Sequence, residues 1–315
     1  MKEYKMKPEF EERMKSLLGS DFPAFSEIIH HPPKNFIRCN TLKISCEELK
    51  KRLEKKWKVE QPFPGHEEIM LVEELMPGEI GKAEEHLLGY YYIQELSSML
   101  SVIALNPAAG EFVLDLCASP GSKTTQMAAM MENSGNIIAN DRDIGRIAIL
   151  ASNLERCGVA NSVVTRMLGE NLCERFFLQG IKFDKILVDA PCSGEGTMRS
   201  SPKTFIMWNK NIIRKLSKIQ KNLIESAAKI LKKGGVMVYS TCTHAPEENE
   251  EVVSFLLEKF PDFTLEESDL PIKCRAGILR WEEKTYNKNI ERACRIYPQD
   301  NDTEGFFVAK FRRKT

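Results

Sequence analysis

Short apolar segments of strand length alternate with longer, helix-forming segments throughout the chain after residue 111. Five apolar segments precede residue 243, and they begin at Phe112, Asn136, Ser162, Phe183 and Val236. Helices are predicted between or after them, over residues 122–131, 144–157, 212–233 and about 246–259. Repeated strand–helix units predict an α/β fold with a parallel, doubly wound sheet and right-handed connections.

Two further features belong to this predicted fold, a pair of glycines and a last apolar segment. Gly234 and Gly235 are expected to end the helix before the fifth strand, because glycine commonly terminates helices. A last apolar segment over residues 305–311 has no helix after it. Such a segment is typical of an antiparallel strand added to a mostly parallel sheet.

Reactive side chains follow four of the predicted strands, at the point where each strand ends. They are Asp115, Asp141, Asp189 and Cys242. The carboxyl ends of parallel strands share one edge, and doubly wound sheets bind their ligands there. The sequence therefore predicts a functional site at this edge.

Residues 1–85 are expected to form a separate, small α+β module, with the main domain over residues 86–315. The module has a strand beginning at Asn35, a charged helix over residues 46–56, and prolines and glycines behind that helix. A segment near residues 90–98 is expected to lead into the main domain.

Composition indicates a soluble protein of the cytoplasm. Hydrophobic residues make up 42% and charged residues 29% of the chain. No apolar run approaches the roughly 20 residues of a membrane helix, and residues 1–12 are too charged for a secretory signal. Nine cysteines without a Cys-x-x-Cys pair predict reduced thiols. Nothing in the sequence demands more than a monomer.

Charge is sorted into blocks although the net charge is zero. Residues 199–233 hold 10 Lys/Arg against 1 Asp/Glu, whereas residues 61–115 hold 1 against 10. This sorting suits a protein with one basic face, although solvated helix faces would give the same pattern. We take residues 199–233, together with the basic N-terminal module, as the hypothesis for a nucleic-acid face.

The segment from Asp115 to Thr124 predicts a strand, a Pro-Gly turn and the start of a helix. Free N–H groups at a helix start favour anionic ligand groups, although an ordinary strand–helix turn would look the same. The Gly-x-Gly-x-x-Gly and Gly-Lys-Ser/Thr motifs of nucleotide-binding loops are absent from this segment. Asp141 is placed to accept both hydroxyls of a ribose, or else to begin the charge pattern of the next helix.

Cys192 and Cys242 both follow a predicted strand end and are expected to be exposed. Cys192 lies in a turn with Gly194 and Gly196. The pair allows three interpretations. A structural metal site would need more ligands than the nearby His244 supplies, a redox pair lacks the Cys-x-x-Cys arrangement, and a covalent nucleophile with a helper thiol would also account for the acids.

These motifs resemble the Nol/Nop/Sun family of RNA cytosine-C5 methyltransferases. Asp-Leu-Cys-Ala-Ser-Pro-Gly-Ser-Lys-Thr is similar to the family's cofactor loop, and Asp-Ala-Pro-Cys-Ser-Gly-Glu-Gly and Ser-Thr-Cys-Thr to its two cysteine motifs. Arg38-Cys-Asn-Thr-Leu-Lys and Gln94-Glu-Leu-Ser-Ser-Met resemble its N-terminal and linker signatures. The resemblance implies a mostly parallel, seven-stranded Rossmann-like methyltransferase sheet and S-adenosylmethionine as cofactor.

The resemblance also implies a role for each site residue. Cys242 would attack carbon-6 of cytosine, Cys192 would assist release, and Asp189 would hydrogen-bond the ring edge. The residues implied to hold the cofactor are Cys117, Ala118, Ser119, Pro120, Gly121, Ser122, Lys123, Asp141, Arg146 and Asp189. The resemblance implies no metal, and the target base has to be unstacked to be reached.

Leu168 departs from the family pattern, because many members have an acid there that contacts the adenine. Glu170 is a neighbour placed to supply that contact. Pro-Gly-Ser-Lys-Thr-Thr-Gln and Gly-Glu-Gly-Thr-Met-Arg look closest to members that modify tRNA, which favours tRNA over rRNA as the substrate. Two further interpretations fit the sequence: an inactive RNA-binding assembly factor, and a DNA cytosine methyltransferase that attacks through Cys192.

Overall fold

The computed structural model describes residues 5–315, so residues 1–4 of the predicted N-terminal module lie outside the described residues. The elements of the N-terminal part are α1 (Pro8–Leu18), α2 (Phe22–Ile28), β1 (Phe36–Cys39), α3 (Cys46–Leu53), β2 (Lys58–Glu60), β3 (Ile69–Glu73), α4 (Glu84–Leu87) and β4 (Tyr91–Ile93).

The four strands of the N-terminal part form an antiparallel sheet in the order β2-β3-β1-β4. Helix α3 begins at an N-cap, Ser45, whose hydroxyl accepts the N–H of Glu48, and its apolar side packs on the sheet around Trp57. Strand β4 closes the sheet by pairing with β1. The sheet therefore continues past residue 85, where the sequence placed the end of the module.

The remaining elements belong to the main domain. They are α5 (Leu96–Leu105), β5 (Phe112–Asp115), α6 (Ser122–Met130), β6 (Asn136–Asp141), α7 (Ile144–Cys157), β7 (Ser162–Arg166), α8 (Gly169–Leu178), β8 (Phe183–Asp189), α9 (Lys203–Met207), α10 (Lys210–Lys229), β9 (Leu231–Thr241), α11 (Glu250–Lys259), β10 (Phe263–Glu266), β11 (Arg275–Ala276), β12 (Arg280–Trp281), β13 (Lys284–Thr285), β14 (Cys294–Ile296), α12 (Pro298–Asn301) and β15 (Phe306–Arg313).

The central sheet has the order β11-β14-β15-β9-β8-β5-β6-β7, with β10 also paired to β15. Strands β5 to β9 are parallel, and β15 is antiparallel to β9, as the sequence predicted. The sheet has nine strands rather than seven. Strand β15 is eight residues long, so one half of its outer edge pairs with β10 and the other half with β14, which in turn pairs with β11.

Gly234 and Gly235 do not end the basic helix, contrary to the prediction. Helix α10 ends at Lys229, and both glycines lie inside β9 at an irregularity in its pairing with β8. Gly234 has φ +77°, and a Cβ on Gly235 would lie 2.8 Å from the carbonyl oxygen of Asp184. The glycines are needed for a strand bulge and for a close approach of two backbones.

Helices cover both faces of the sheet and exclude water from it. One buried cluster joins β8 and β9 to α10 and α11, and a second joins β5, β9 and β15 to α5 and α6. Helix α11 begins at Glu250 rather than near residue 246, because residues 246–249 form a turn. No helix in residues 5–315 is long and apolar enough to span a membrane.

Several contacts join the N-terminal part to the main domain, and they include an apolar cluster and a group of polar bonds. Helices α1 and α2 place Phe10, Met14 and Phe25 in one buried cluster with Trp208 and Tyr297. The polar bonds lie beside the predicted cofactor loop and are described with the site.

Candidate active site

The carboxyl ends of the parallel strands meet at one edge, as predicted. Asp115 is in register with Leu187 of β8, and Asp189 with Ser240 of β9. A cavity of about 620 Å³ opens beyond this edge. Its walls include Cys117, Ser119, Asp141, Arg146, Leu168, Asp189, Cys192 and Cys242.

Cys192 and Cys242 lie side by side on the cavity wall, with their sulfur atoms 3.1 Å apart. The Cys242 thiol against it, together with burial, raises the pKa of Cys192 well above that of an ordinary thiol. Two further contacts tie the cysteine segments together: the hydroxyls of Ser193 and Thr243 are 2.8 Å apart, and the N–H of Gly196 donates to the carbonyl of Cys242.

Gly196 explains why the first cysteine motif is rich in glycine. A Cβ at this position would lie 2.1 Å from the carbonyl oxygen of Gly305, so only glycine allows the two backbones to approach. The N–H of Gly305 donates to the carbonyl of Gly196 across this contact. The turn that carries Cys192 is thus fastened to the start of β15.

Asp189 lies between two hydrogen-bond donors at the base of the cavity. The hydroxyl of Ser240 donates to Oδ1 at 2.7 Å, and the Lys123 ammonium contacts Oδ2 at 2.9 Å. Lys123 also donates to the hydroxyl of Ser98 and lies over the ring of Phe306. The sequence predicted Lys123 as a cofactor residue, and the structure places its Nζ on the acid beside the two thiols.

The other residues of the predicted cofactor loop occupy different environments. Cys117 and Ser119 line the cavity, and burial raises the pKa of the Cys117 thiol well above its ordinary value. Ala118 is buried, and Gly121 has φ +103° with Leu150 only 3.0 Å from its Cβ position. The carbonyl of Pro120 accepts the side-chain amide of Asn153, and that of Ser122 accepts Arg38.

Asp141 lies at the end of β6, where a ribose-binding acid was predicted. Its Oδ1 accepts the N–H of Asp143, whereas the buried Oδ2 accepts no hydrogen bond from residues 5–315. Arg146 approaches that oxygen to 3.4 Å and donates to the carbonyl of Ser119. A buried carboxylate oxygen without a donor fits a ligand that brings hydroxyl groups. The residues present thus fit the ribose of S-adenosylmethionine.

Leu168 lines the cavity with half of its surface exposed, at the position where the family resemblance implies an acid. It is the N-cap of α8 and makes no side-chain capping bond. Glu170 and Asn171, in the first turn of that helix, also line the cavity. Their polar side chains are the nearest replacements for the missing acid on this wall.

His244 faces away from the thiols, into the protein core. Its ring stacks on Tyr297, with centroids 5.2 Å apart, and meets Phe25 edge-on. Burial lowers the pKa of His244 to about 3 and keeps the ring neutral. In residues 5–315, no cluster of three or more His, Cys, Asp or Glu side chains could hold a metal ion.

The basic block over residues 199–233 is only partly available to a ligand. Arg199 is buried and donates to the carbonyls of His31 and Thr303, so it cannot contact RNA. Four further lysines form ion pairs, namely Lys210, Lys221, Lys229 and Lys232. In the described part of the chain, Lys203, Arg214, Lys215, Lys218 and Lys233 are exposed and form no ion pair.

Arg38 is the site residue whose contribution sequence reasoning missed, although it lies in a motif that carried the family resemblance. It is 2% exposed and donates to Gln94, to the carbonyl of Ser122 and to the hydroxyl of Thr125. These bonds are the polar contact between the N-terminal part and the main domain beside the cofactor loop. The sequence sign of this buried contact was an arginine inside the apolar strand Phe36–Cys39, because a charge is rarely buried without a specific partner.

Comparisons with known proteins agree with this geometry. A family model described as 16S rRNA methyltransferase RsmB/F matches residues 102–312, and a model of the N-terminal domain of 16S rRNA methyltransferase RsmF matches residues 6–96. The chain is 43% identical to the tRNA (cytosine(49)-C(5))-methyltransferase of Pyrococcus abyssi over 93% of this chain and 92% of that one. It is 41% identical to the ribosomal RNA small subunit methyltransferase F of Aliivibrio fischeri over 97% of this chain and 63% of the relative.

Solved structures give the same result. A methyltransferase homolog from Pyrococcus horikoshii has a TM-score of 0.85 and 35% identity over 98% of this chain and 95% of that one. NSun6 from the same organism, solved with SFG, has a TM-score of 0.83 and 26% identity over 98% of each chain. The chain therefore belongs to the Nol/Nop/Sun family of S-adenosylmethionine-dependent RNA cytosine-C5 methyltransferases.

Proposed function

We propose that this protein methylates carbon-5 of a cytosine in tRNA, with Cys242 as the covalent nucleophile and Cys192 as the residue that assists release. The observation that carries the proposal is the contact between the two thiols, 3.1 Å apart on the wall of the cavity that also holds Asp141 and Asp189. Carbon-5 of cytosine is a poor nucleophile, so the reaction needs a thiolate that first adds to carbon-6.

The two thiols have different roles in the reaction because their environments differ. The raised pKa keeps the proton on Cys192. The Cys242 thiolate forms a bond to carbon-6, which makes carbon-5 nucleophilic. After the methyl group is on carbon-5, the proton of carbon-5 passes to solvent water and the electron pair of that C–H bond forms the carbon-5–carbon-6 double bond. The sulfur–carbon-6 bond breaks at the same time, and its electron pair returns to Cys242. When the bond to carbon-6 breaks, the S–H of Cys192 can donate to the Cys242 sulfur and stabilise the departing thiolate.

Asp189 is assigned to the ring edge of the cytosine, near N3 and N4. One of its oxygens accepts a hydrogen bond from Ser240 and the other forms an ion pair with Lys123, so the carboxylate is held in one orientation before the base arrives. A carboxylate held in this way can accept a hydrogen bond from the amino group at N4. The Lys123 ammonium beside it can offset the negative charge that develops on the ring when sulfur attacks.

The cofactor would be held by the loop over residues 117–123, by Asp141 and by Arg146. When it is bound, S-adenosylmethionine supplies the methyl group. Arg146 fixes the loop by donating to Ser119, and Asp141 offers to the ribose the oxygen that accepts no hydrogen bond from the described residues. We assign the adenine end to the wall formed by Leu168, Glu170 and Asn171.

The RNA face is assigned to the exposed side of α10. Lys215, Lys218 and Asn222 lie on one side of this helix, at the spacing that brings side chains into line. Asn222 lines the cavity, so the two lysines lead away from its mouth. Lysines in such a row contact the backbone of a nucleic acid and do not select its sequence. The N-terminal module is assigned to RNA binding as well.

Ribosomal RNA is the second candidate substrate. It is favoured by the relatives named ribosomal RNA small subunit methyltransferase F, which are 39–42% identical to this chain. The chain covers less than two thirds of the length of those relatives. The same reaction and the same site residues would serve either RNA.

The test is methyl transfer from labelled S-adenosylmethionine to unmodified tRNA and rRNA, followed by mapping of the labelled base. The proposal expects label at carbon-5 of cytosine in tRNA. Label in rRNA alone would make rRNA the substrate in place of tRNA. Label in a DNA duplex assayed beside the two RNAs would make the protein a DNA methyltransferase. A purified protein that binds both RNAs and labels neither would be an assembly factor.

A further inference from the structure

The peptide groups on both sides of Cys192 are held by two buried polar side chains. Gln220 of α10 donates from Nε2 to the carbonyl of Pro191, at 2.9 Å. The N–H of Ser193 donates to Oε2 of Glu248, at 3.0 Å. The same Nε2 of Gln220 donates to that Oε2 at 2.7 Å, so one amide–carboxylate pair clamps the chain before and after the cysteine.

Glu248 belongs to the segment that also carries Cys242. It lies in the turn between β9 and α11, where its carbonyl accepts the hydroxyl of Tyr239. Glu248 and Gln220 are both fully buried. The clamp therefore connects the backbone around one thiol to the backbone that follows the other, and it helps to set the 3.1 Å between them.

A carboxylate is an unexpected choice for a purely structural clamp here. Oε1 of Glu248 and Oε1 of Gln220 are both buried and accept no hydrogen bond from residues 5–315. A buried acceptor without a donor costs free energy, and a glutamine at 248 would offer an acceptor to Ser193 without a buried charge. Burial raises the pKa of Glu248 to about 7. Acids kept in such an environment beside reactive groups are typical of functional sites.

We propose that Glu248, acting through Gln220 and Ser193, is a positioning residue that holds Cys192 against Cys242 for the release step. The inference rests on the proposed function, in which Cys192 assists release. Glu248 does not touch the cavity side of Cys242. Its loss should therefore spare formation of the bond between Cys242 and the RNA and slow the breaking of that bond.

Single-turnover experiments on the full chain with labelled tRNA separate the two steps, because the covalent adduct can be trapped by denaturation at successive times. Glu248→Ala is expected to form the adduct at close to the wild-type rate and to release it at least ~10-fold more slowly, a loss on the scale of one positioning hydrogen bond. Gln220→Ala tests the other half of the clamp and is expected to slow release in the same way.

Glu248→Gln is the variant that distinguishes positioning from bulk. Its side-chain oxygen can accept from Ser193 and Gln220 as the carboxylate does, so release is expected within ~3-fold of the wild type. Ser254→Ala is the matched control, since Ser254 is a buried polar residue of α11 bonded to Glu258 and away from the thiols. It should leave both steps unchanged.

The outcomes separate this inference from the proposed function. Adduct that persists in Cys192→Ala but is released normally by Glu248→Ala and Gln220→Ala overturns the positioning role alone. If Glu248→Ala loses adduct formation and release equally, and Glu248→Gln does not rescue them, Glu248 has only a folding role. That result would also overturn the positioning role. Absence of any adduct in Cys192→Ala would contradict the proposed function itself, and the positioning role with it.

Discussion

The sulfur atoms of Cys192 and Cys242 lie 3.1 Å apart although the residues are 50 positions apart in the chain. They meet because β8 and β9 are neighbouring parallel strands whose carboxyl ends share an edge, and each cysteine follows its strand by one to three residues. The chain thus brings two thiols from separate strand–helix units to one wall of the cavity.

The first prediction concerns the separate roles of these thiols. Cys242→Ala should abolish both methyl transfer and adduct formation, because no other thiol is assigned to attack carbon-6. Cys192→Ala should still attack and should accumulate a covalent RNA adduct visible on a denaturing gel. Loss of activity in Cys192→Ala without an adduct, with activity retained in Cys242→Ala, would reverse the assignment and point to the mechanism considered for a DNA enzyme.

The second prediction concerns Lys123, whose ammonium contacts Asp189 at 2.9 Å. Lys123→Met should lower kcat by about 10²-fold or more, the range seen when one preorganised charge is removed from a reacting centre. Ser98→Ala removes the other hydrogen-bond partner of Lys123 and is the control, with an expected loss of less than about tenfold. If Lys123→Met changes only the KM for S-adenosylmethionine, Lys123 serves cofactor binding alone and has no role toward the base.

The order of strands and the reactive edge could be predicted because both follow from a repeated local pattern. Asp189 and Cys242 were placed at one edge by the rule that parallel strands share their carboxyl ends. The strands of the central sheet that were not predicted are short and lie outside the repeated strand–helix units: β10, β11 and β14 have two to four residues each. Tertiary pairing adds them to the sheet, through β15 and β14.

The contacts around the site could not be predicted, because they join segments distant in the chain. Gly234 and Gly235 have the composition of a helix end, and only the neighbouring strand shows that they form a bulge. Arg199 has the positive charge expected of a residue that binds RNA. In the fold it is buried and donates to carbonyls more than 100 residues away in the chain. Glu248 follows a strand end, and a solvent-exposed acid in a turn would have the same place in the sequence. Its burial could therefore not be predicted.

The third prediction concerns Arg38, the buried link between the N-terminal part and α6. Arg38→Ala removes three hydrogen bonds and leaves the buried Oε1 of Gln94 without its donor, so the free energy of unfolding should fall by about 2–5 kcal/mol. The KM for S-adenosylmethionine should rise, because Ser122 of the cofactor loop loses its anchor. Arg52→Ala, which breaks an exposed pair with Glu48, should leave the midpoint of the same urea titration nearly unchanged.

The fourth prediction concerns the RNA face. Lys215→Glu/Lys218→Glu should weaken tRNA binding by at least about tenfold and reduce the dependence of affinity on salt, by roughly one unit of slope per lost phosphate contact. Lys182→Glu/Lys233→Glu is the matched control. These lysines are also exposed but lie at the amino ends of β8 and β9, on the opposite side from the cavity. If the two double substitutions have equal effects on affinity, the exposed side of α10 is not part of the RNA-binding surface.

The last prediction concerns Glu304, which precedes β15 and is buried. Its Oε1 accepts the N–H of Ser200, and its Oε2 accepts no hydrogen bond from the described residues. Burial, with a contribution from Glu95, raises the pKa of Glu304 from 4.5 to about 7. The folded state therefore binds the proton more tightly than the unfolded state, and this stabilisation is complete below about pH 4.5 and lost as the pH rises through 7.

Glu304→Gln cannot ionise, and its side-chain oxygen can still accept from Ser200. Its advantage in unfolding free energy over the wild type should therefore be small at pH 4.5 and grow through pH 7, by up to about 3 kcal/mol at pH 8. Urea titrations at intervals of one pH unit measure this difference. Glu291→Gln, at an exposed position without an ion pair in the described part of the chain, should follow the wild type at every pH. A Glu304→Gln difference that is constant with pH would mean that the carboxyl is already ionised in the folded protein.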